Sequence, residues 1–262
     1  MNTFLVIFAI IAGVGLLTGL AIAIISRYFS APQDPLANEL LALLPGANCG
    51  GCGYPGCSGY AAALAAGKAK PGACASQKKE ALEAMSKRLG TAAEAREPRV
   101  AVVMCSGDDI HATRQAQYNG INNCRDAMIV AGGAKTCTYG CLGLGACARA
   151  CPFGAIEINE HHIAVVHKEL CKGCGKCVQT CPKKLIRLVP KSAPIHVHCS
   201  NPLKGAVKLK ACKAACIGCG KCVKTAPENL RMDSGVSLAK INYANPPAEE
   251  VAAVCPTHAL RK

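Results

Sequence analysis

Cysteine constrains this chain more than any other feature. It supplies 20 of the 262 residues, several times the usual share, and most of these residues stand close to another. Thiols at such density either pair as disulfides or wrap metal. The remaining composition explains why one of these is needed. There is no Trp, aromatic residues make up 4%, and Gly numbers 26. Little large apolar surface is left for a single hydrophobic core. At 51% hydrophobic residues the chain is also too apolar for a disordered basic tail.

The choice between disulfide and metal depends on the compartment. Residues 4–25 carry no charge, and Thr18 is their only distinctly polar side chain. As a helix such a run spans about 30 Å of hydrocarbon. A secretory signal would place a shorter apolar run behind a positive charge, so the segment reads as a membrane anchor. Arg27 follows the run and no basic residue precedes it, which puts the bulk of the chain in the cytoplasm. Gly15 and Gly19 have the spacing of close helix pairs, although Gly is also common in such helices. No ionisable residue lies inside the span, so this chain alone offers no ion path. In a reducing cytosol structural disulfides are disfavoured, and the thiols read as ligands.

The clearest ligand signal is Cys171-x2-Cys174-x2-Cys177-x3-Cys181-Pro182, the spacing of a bacterial ferredoxin run for a [4Fe-4S] cluster. Gly173 and Gly175 let the backbone turn tightly there. Zinc sites more often use two Cys pairs across a longer loop. Cys151-Pro152 is the matching upstream element. In two-cluster ferredoxins the last Cys of each run serves the other cluster. Cys171, Cys174, Cys177 and Cys151 are therefore assigned together. Cys181 joins the earlier, irregular run Cys137-x3-Cys141-x5-Cys147, where Leu144 stands at the usual middle position. Cys141, Cys147 and Cys181 are three ligands of that cluster. Cys137 is the expected fourth, with Cys124 or Cys105 as alternatives.

The pattern recurs. Val102-Val103-Met104-Cys105-Ser106 resembles Val197-His198-Cys199-Ser200, and the stretch from Lys135 to Cys141 resembles that from Lys210 to Cys216. This points to duplication. The second copy opens with Cys216-x2-Cys219-x2-Cys222, but Ala226 precedes Pro227 where a fourth Cys would stand. Residues 244–254 contain no Cys, yet Cys255-Pro256 remains. Under swapped ligation one cluster has lost all its ligands and the other has kept them. One cluster on Cys216, Cys219, Cys222 and Cys255 is the result. Upstream, Cys49-x2-Cys52-x4-Cys57-x16-Cys74 forms a further group in a glycine-rich loop, read as iron–sulfur with zinc the weaker choice. With Cys137 spent, Cys105, Cys124, Cys199 and Cys212 are left over. They supply a fifth cluster or are buried free thiols. Four clusters are expected, and the fifth is open.

The fold read from this is α+β: one N-terminal transmembrane helix, a small [4Fe-4S] domain, then tandem bacterial ferredoxin-like modules. The boundaries are 1–29 for the anchor, 30–90 for the four-Cys domain, 98–190 for a two-cluster module with an N-terminal extension, and 191–262 for a degenerate one-cluster module. A helix is expected over residues 77–89 with Leu82, Met85 and Leu89 on one face. A strand is expected over 100–104 and a helix near 126–130. Residues 91–98 and 190–194 read as linkers that would let the domains swing.

The order of these parts carries a family resemblance. An apolar N-terminal helix precedes Pro45-Gly46-Ala47-Asn48-Cys49-Gly50-Gly51-Cys52-Gly53-Tyr54-Pro55-Gly56-Cys57, and paired ferredoxin runs follow. The whole resembles the B subunit of the Rnf complex, and Tyr139-Gly140-Cys141-Leu142-Gly143-Leu144-Gly145 resembles its longer form in anaerobes. The resemblance implies a [4Fe-4S] cluster on Cys49, Cys52, Cys57 and Cys74. It implies a single-pass subunit of the bacterial inner membrane that takes electrons from reduced ferredoxin and passes them to membrane and flavin subunits. The complex reduces NAD and moves Na+ or H+. The chain departs from the longer form in its last module, which there resembles a complete two-cluster ferredoxin.

The residues bear on function independently. No dinucleotide fingerprint and no P-loop is present, and no Ser-His-Asp or paired-carboxylate constellation stands out. The chain therefore reads as the electron-transfer subunit of a translocase-type oxidoreductase without a complete catalytic site of its own. The alternative is a reducing module that keeps an iron–sulfur regulator reduced. The seven His residues read as surface or hairpin residues. The net charge is +14, with basic groups over residues 168–184 and 204–224. Without interleaved aromatics these argue against nucleic acid. They suit an acidic ferredoxin, beside membrane lipid as the other contact.

Overall fold

The structure, a computed structural model, describes residues 2–29, 34–92, 97–232 and 235–262. The first helix, α1, runs over Asn2–Phe29 without a break. The most apolar window of its Thr3–Arg27 stretch has a mean hydropathy of 2.7, and none of that window is buried inside the chain. The Thr18 hydroxyl donates to the Val14 carbonyl at 2.9 Å, so the one polar side chain is satisfied within the helix, as hydrocarbon requires.

Three helices build the N-terminal unit: α2 (Pro35–Ala42), α3 (Gly56–Ala65) and α4 (Lys79–Leu89). Asp34 caps α2 by accepting the Leu36 N–H at 2.9 Å, and Pro35 sits in the first turn, where its missing N–H is harmless. The unit has a core of Leu40, Leu44, Tyr60, Ala61, Leu64 and Met85. Helix α4 starts two residues later than the spacing suggests. It buries Met85 with Leu82 and Leu89 half-buried, and Gly90 in the left-handed region ends it. The Tyr60 phenol donates to the Lys70 carbonyl at 2.8 Å and accepts from the Ala73 N–H at 3.2 Å. These bonds fix the loop that delivers Cys74.

The rest is one plan used twice. In the first copy β1 (Arg99–Val103) pairs antiparallel with β4 (Ile186–Pro190), and β2 (Ile156–Ile158) forms a hairpin with β3 (Ala164–Val166). Short helices α5 (Cys124–Ile129), α6 (Ala146–Arg149) and α7 (Lys176–Thr180) lie between them. In the second copy β5 (His196–Val197) pairs with β8 (Leu260–Arg261), and β6 (Leu230–Met232) with β7 (Ala239–Ile241). Its helices are α8 (Gly205–Ala211) and α9 (Lys221–Thr225). A 3-10 turn over Glu249–Val254 stands where α7 stands in the first copy. That is the segment whose cysteines are missing. Strand β1 begins one residue before the expected 100–104. Helix α5 begins two residues before the expected 126–130, which brings Cys124 into its first turn.

Two expectations change. The linker read over residues 91–98 lies partly outside the described residues. That read over 190–194 is not a loose tether. Ala193 and Ile195 are buried, the His198 Nδ1 lies 2.9 Å from the Val103 carbonyl, and the Ser200 hydroxyl donates to the Met104 carbonyl at 2.9 Å. The two copies are thus bonded across the junction. His196 is fully buried, not a surface residue, with its Nδ1 3.2 Å from the Tyr243 hydroxyl. Burial, with Lys168 nearby, holds its imidazole far below the usual range, at about 4. His161 and His162 do occupy the β2–β3 turn.

Because α1 contributes no buried side chain in its apolar window, removing residues 1–29 should leave the remainder folded. The truncated chain, produced on its own, is expected in the soluble fraction after cell lysis with an iron content equal to the full chain's. Truncated protein that stays with washed membranes, or that loses iron, would count against an independent anchor.

Candidate iron–sulfur sites

Three of the expected cysteine groups each line a cavity. Cys49, Cys52, Cys57 and Cys74 line the first, with Cys174 also on its wall. Cys216, Cys219, Cys222 and Cys255 line another. Cys141, Cys147 and Cys181 line a third. Cys151, Cys171, Cys174 and Cys177 gather beside these. Cys177 neighbours Cys171 and Cys174, and Cys174 neighbours Cys151.

The assignment of the remaining thiols differs from the expectation. The fourth cysteine on the cavity of Cys141, Cys147 and Cys181 is Cys124, not Cys137. Cys137 instead shares a cavity with Cys105, Cys199 and Cys212. The reason is local. In the second copy Cys219 fills the middle position of the run, whereas the first copy has Leu144 there. A thiol must arrive from elsewhere, and the start of α5 brings Cys124 in. The Asn123 side chain caps that helix by accepting the Arg125 N–H. Only this cap, visible as Asn123 ahead of Cys124, could have signalled it.

Glycines make the turns. Gly145, Gly175 and Gly220 precede α6, α7 and α9 in the left-handed region. Gly143, Gly173 and Gly218 also have positive φ, and each faces a passing segment. A Cβ on Gly173 would stand 2.5 Å from the Arg99 carbonyl, one on Gly218 would stand 2.7 Å from the Ser237 Cβ, and one on Gly143 would strike the His162 carbonyl. Only Gly fits such a place. In the N-terminal loop Asn48 takes a left-handed conformation, and its Oδ1 accepts the Cys57 N–H at 2.8 Å.

The environment suits thiolates bound to iron. The Ala101 N–H reaches the Cys171 sulfur at 3.3 Å and the Leu185 N–H reaches the Cys181 sulfur at 3.5 Å. Such bonds orient ligands and tune a cluster. Burial pushes the Cys147 and Cys177 thiols up to about 12 and Cys222 to about 11. A bare thiolate there is costly, and iron ligation offsets that cost. Among the described residues no three His, Cys, Asp or Glu side chains are set to hold a single metal ion. Two lysines are buried among these sites. The Lys135 Nζ donates to the Gly107 carbonyl at 2.6 Å, and the Lys208 Nζ donates to the carbonyls of Cys216 and Ser237.

The geometry defines a multi-cluster iron–sulfur protein of ferredoxin type, and comparison with known families agrees. Residues 44–76 match a family of Fe-S cluster domains, residues 136–185 a 4Fe-4S dicluster domain, and residues 213–262 a 4Fe-4S single cluster domain of ferredoxin I. The chain carries several [4Fe-4S] clusters. The single-cluster match fits the module that lost one ligand set.

The chain is 42% identical over 215 residues to the B subunit of the Na+-translocating ferredoxin:NAD+ oxidoreductase complex of Acetobacterium woodii, covering 82% of this chain and 65% of that one. It thus spans just under two thirds of that relative. It is 35% identical to the proton-translocating counterpart of Clostridium ljungdahlii, covering 81% and 75% of the two chains. It is 36% identical to the B subunit of the ion-translocating oxidoreductase complex of Methanosarcina acetivorans, covering 78% of each. The chain belongs to the family of B subunits of ion-translocating ferredoxin:NAD+ oxidoreductase complexes, the Rnf complexes. It is an electron-transfer component of an oxidoreductase complex, and family and apolar helix together assign it to a membrane.

Gly173→Ala should cost about 1–3 kcal/mol of stability, read as a lower denaturation midpoint. Gly154→Ala, with similar φ but nothing within 4 Å, should cost clearly less. Equal midpoints for the two variants would contradict the close approach at Arg99.

Proposed function

We propose that the chain takes electrons from reduced ferredoxin on the cytoplasmic side and passes them along its cysteine sites to membrane and flavin subunits of the complex. The ligands of the four expected sites are Cys49, Cys52, Cys57 and Cys74; Cys151, Cys171, Cys174 and Cys177; Cys124, Cys141, Cys147 and Cys181; and Cys216, Cys219, Cys222 and Cys255. When bound, [4Fe-4S] clusters supply one-electron transfer with no bond made or broken. The residues of the chain set the order and the surroundings of the sites.

The observation that carries this reading is the contact between one site and the next. Gly51 lies so close to the second site that a Cβ on it would stand 2.6 Å from the Cys174 carbonyl. Cys174 is also on the wall of the first cavity. Cys177 of the second site neighbours Cys147 of the third. The N-terminal site follows α1 closely in sequence, which supports the membrane as the destination. At the other end Cys219 is the exposed thiol of the chain, and Lys213, Lys221 and Lys224 are exposed beside it in sequence. A basic rim around an exposed ligand supports arrival of an acidic donor there, since complementary charge speeds encounter.

Stopped-flow reduction of the purified chain by reduced ferredoxin tests this. The rate is expected to fall steeply as salt is added. Lys221→Glu with Lys224→Glu should slow it by about ten-fold at low salt, with iron content unchanged. A rate indifferent to both salt and the substitutions would rule out this docking face.

A further inference from the structure

We infer that Cys105, Cys137, Cys199 and Cys212 hold a fifth [4Fe-4S] cluster, set between the two ferredoxin-like copies with two thiols from each. The inference rests on reading the other cysteine groups as cluster sites. The four thiols line one cavity, as the cysteines of three other sites line theirs. Thiols that only filled a core would close-pack. These surround a space, and Gly107 helps to keep it. A Cβ on Gly107 would stand 3.5 Å from the Cys212 sulfur and 3.6 Å from the Cys105 sulfur.

The wall is made for anionic sulfur. The N–H groups of Gly107 and Cys141 each reach the Cys105 sulfur at 3.3 Å. The Asn201 amide, itself 4% exposed, donates to the Cys137 sulfur at 3.4 Å. The buried Lys135 ammonium lies on the same wall, as does Ser106, whose buried hydroxyl has no hydrogen-bond partner among the described residues. A buried donor without an acceptor calls for one, and cluster sulfide would serve. No three of these side chains are set to share a single ion.

The position gives the site a role. Cys105 accepts from the backbone of Cys141, a ligand of the third site. Cys199 accepts from the backbone of Cys216, a ligand of the C-terminal site. The fifth cluster therefore bridges the third and C-terminal sites, one in each copy, and it staples the two copies together.

Iron and acid-labile sulfide in the full-length chain, reconstituted without oxygen, give the first test. About 20 of each per chain is expected. About 16 of each, with or without one zinc, would overturn the fifth cluster. Variants test the grouping. Cys212→Ala and Cys137→Ala should each lose about four irons, and the double variant no more than either. Cys212→Ala combined with Cys124→Ala should lose about eight. Cys124→Ala and Cys137→Ala together losing only about four would overturn the ligand set. Gly107→Val replaces no ligand but sets a branched side chain against the Cys105 and Cys212 sulfurs, and it should also lose about four irons; a full complement in it would contradict the cavity assignment. The wild-type count needs no variant to fold. Since it does not involve ferredoxin, failure of the proposed donor would leave it untouched.

Discussion

Everything in this chain depends on sulfur occupying the places where other proteins put hydrocarbon. The cores of the two ferredoxin-like copies are short lists of Ile, Leu, Val and Ala with cysteines among them. Their sheets are pairs of strands two to five residues long. Such elements bury too little apolar surface to be stable alone. Iron–thiolate bonds offset the difference, so cluster binding contributes to the stability of the fold. Glycine is the second half of the same constraint. A chain that wraps a compact group must turn sharply, and the passing strands leave no room for a Cβ at Gly143, Gly173 or Gly218.

The same economy produces function. Ligands come from loops shared between neighbouring sites, so the wall of one site is the support of the next. Cys174 faces two sites, and the Cys141 backbone serves the sulfur of Cys105. Shared walls set neighbouring cysteine groups in contact, as the proposed relay requires. Bonds across the junction, from His198 and Ser200 to β1 and the residue after it, keep the two copies in register. The charge fits this picture. An oxidised [4Fe-4S] site with four thiolates carries about −2, so five of them bring the formal +14 to about +4. What remains is a modest basic surface suited to an acidic partner.

Much of this was legible in the sequence because cysteine spacing is a direct record of geometry. The cysteines of the runs at Cys171 and Cys216, with Cys255, and those of the N-terminal loop all gather in the fold as their spacing suggests. The strand at β1 and the helix at α4 followed from apolar pattern to within two residues. The difference arose where a thiol is recruited from far along the chain. Spacing favours Cys137 because it is near Cys141, but Leu144 leaves a place that Cys124 reaches. Packing between copies was also invisible. It buries His196, Lys135 and Lys208, residue types that sequence alone assigns to the surface.

The central claim is that the sites form one continuous relay and not separate clusters on a common chain. Electron paramagnetic resonance of the fully reduced protein tests it most directly. Neighbouring paramagnetic clusters interact, so the account calls for a broad, spin-coupled spectrum that sharpens when Cys212→Ala removes the bridging site. A spectrum equal to the sum of isolated clusters, unchanged in shape by that substitution, would contradict it.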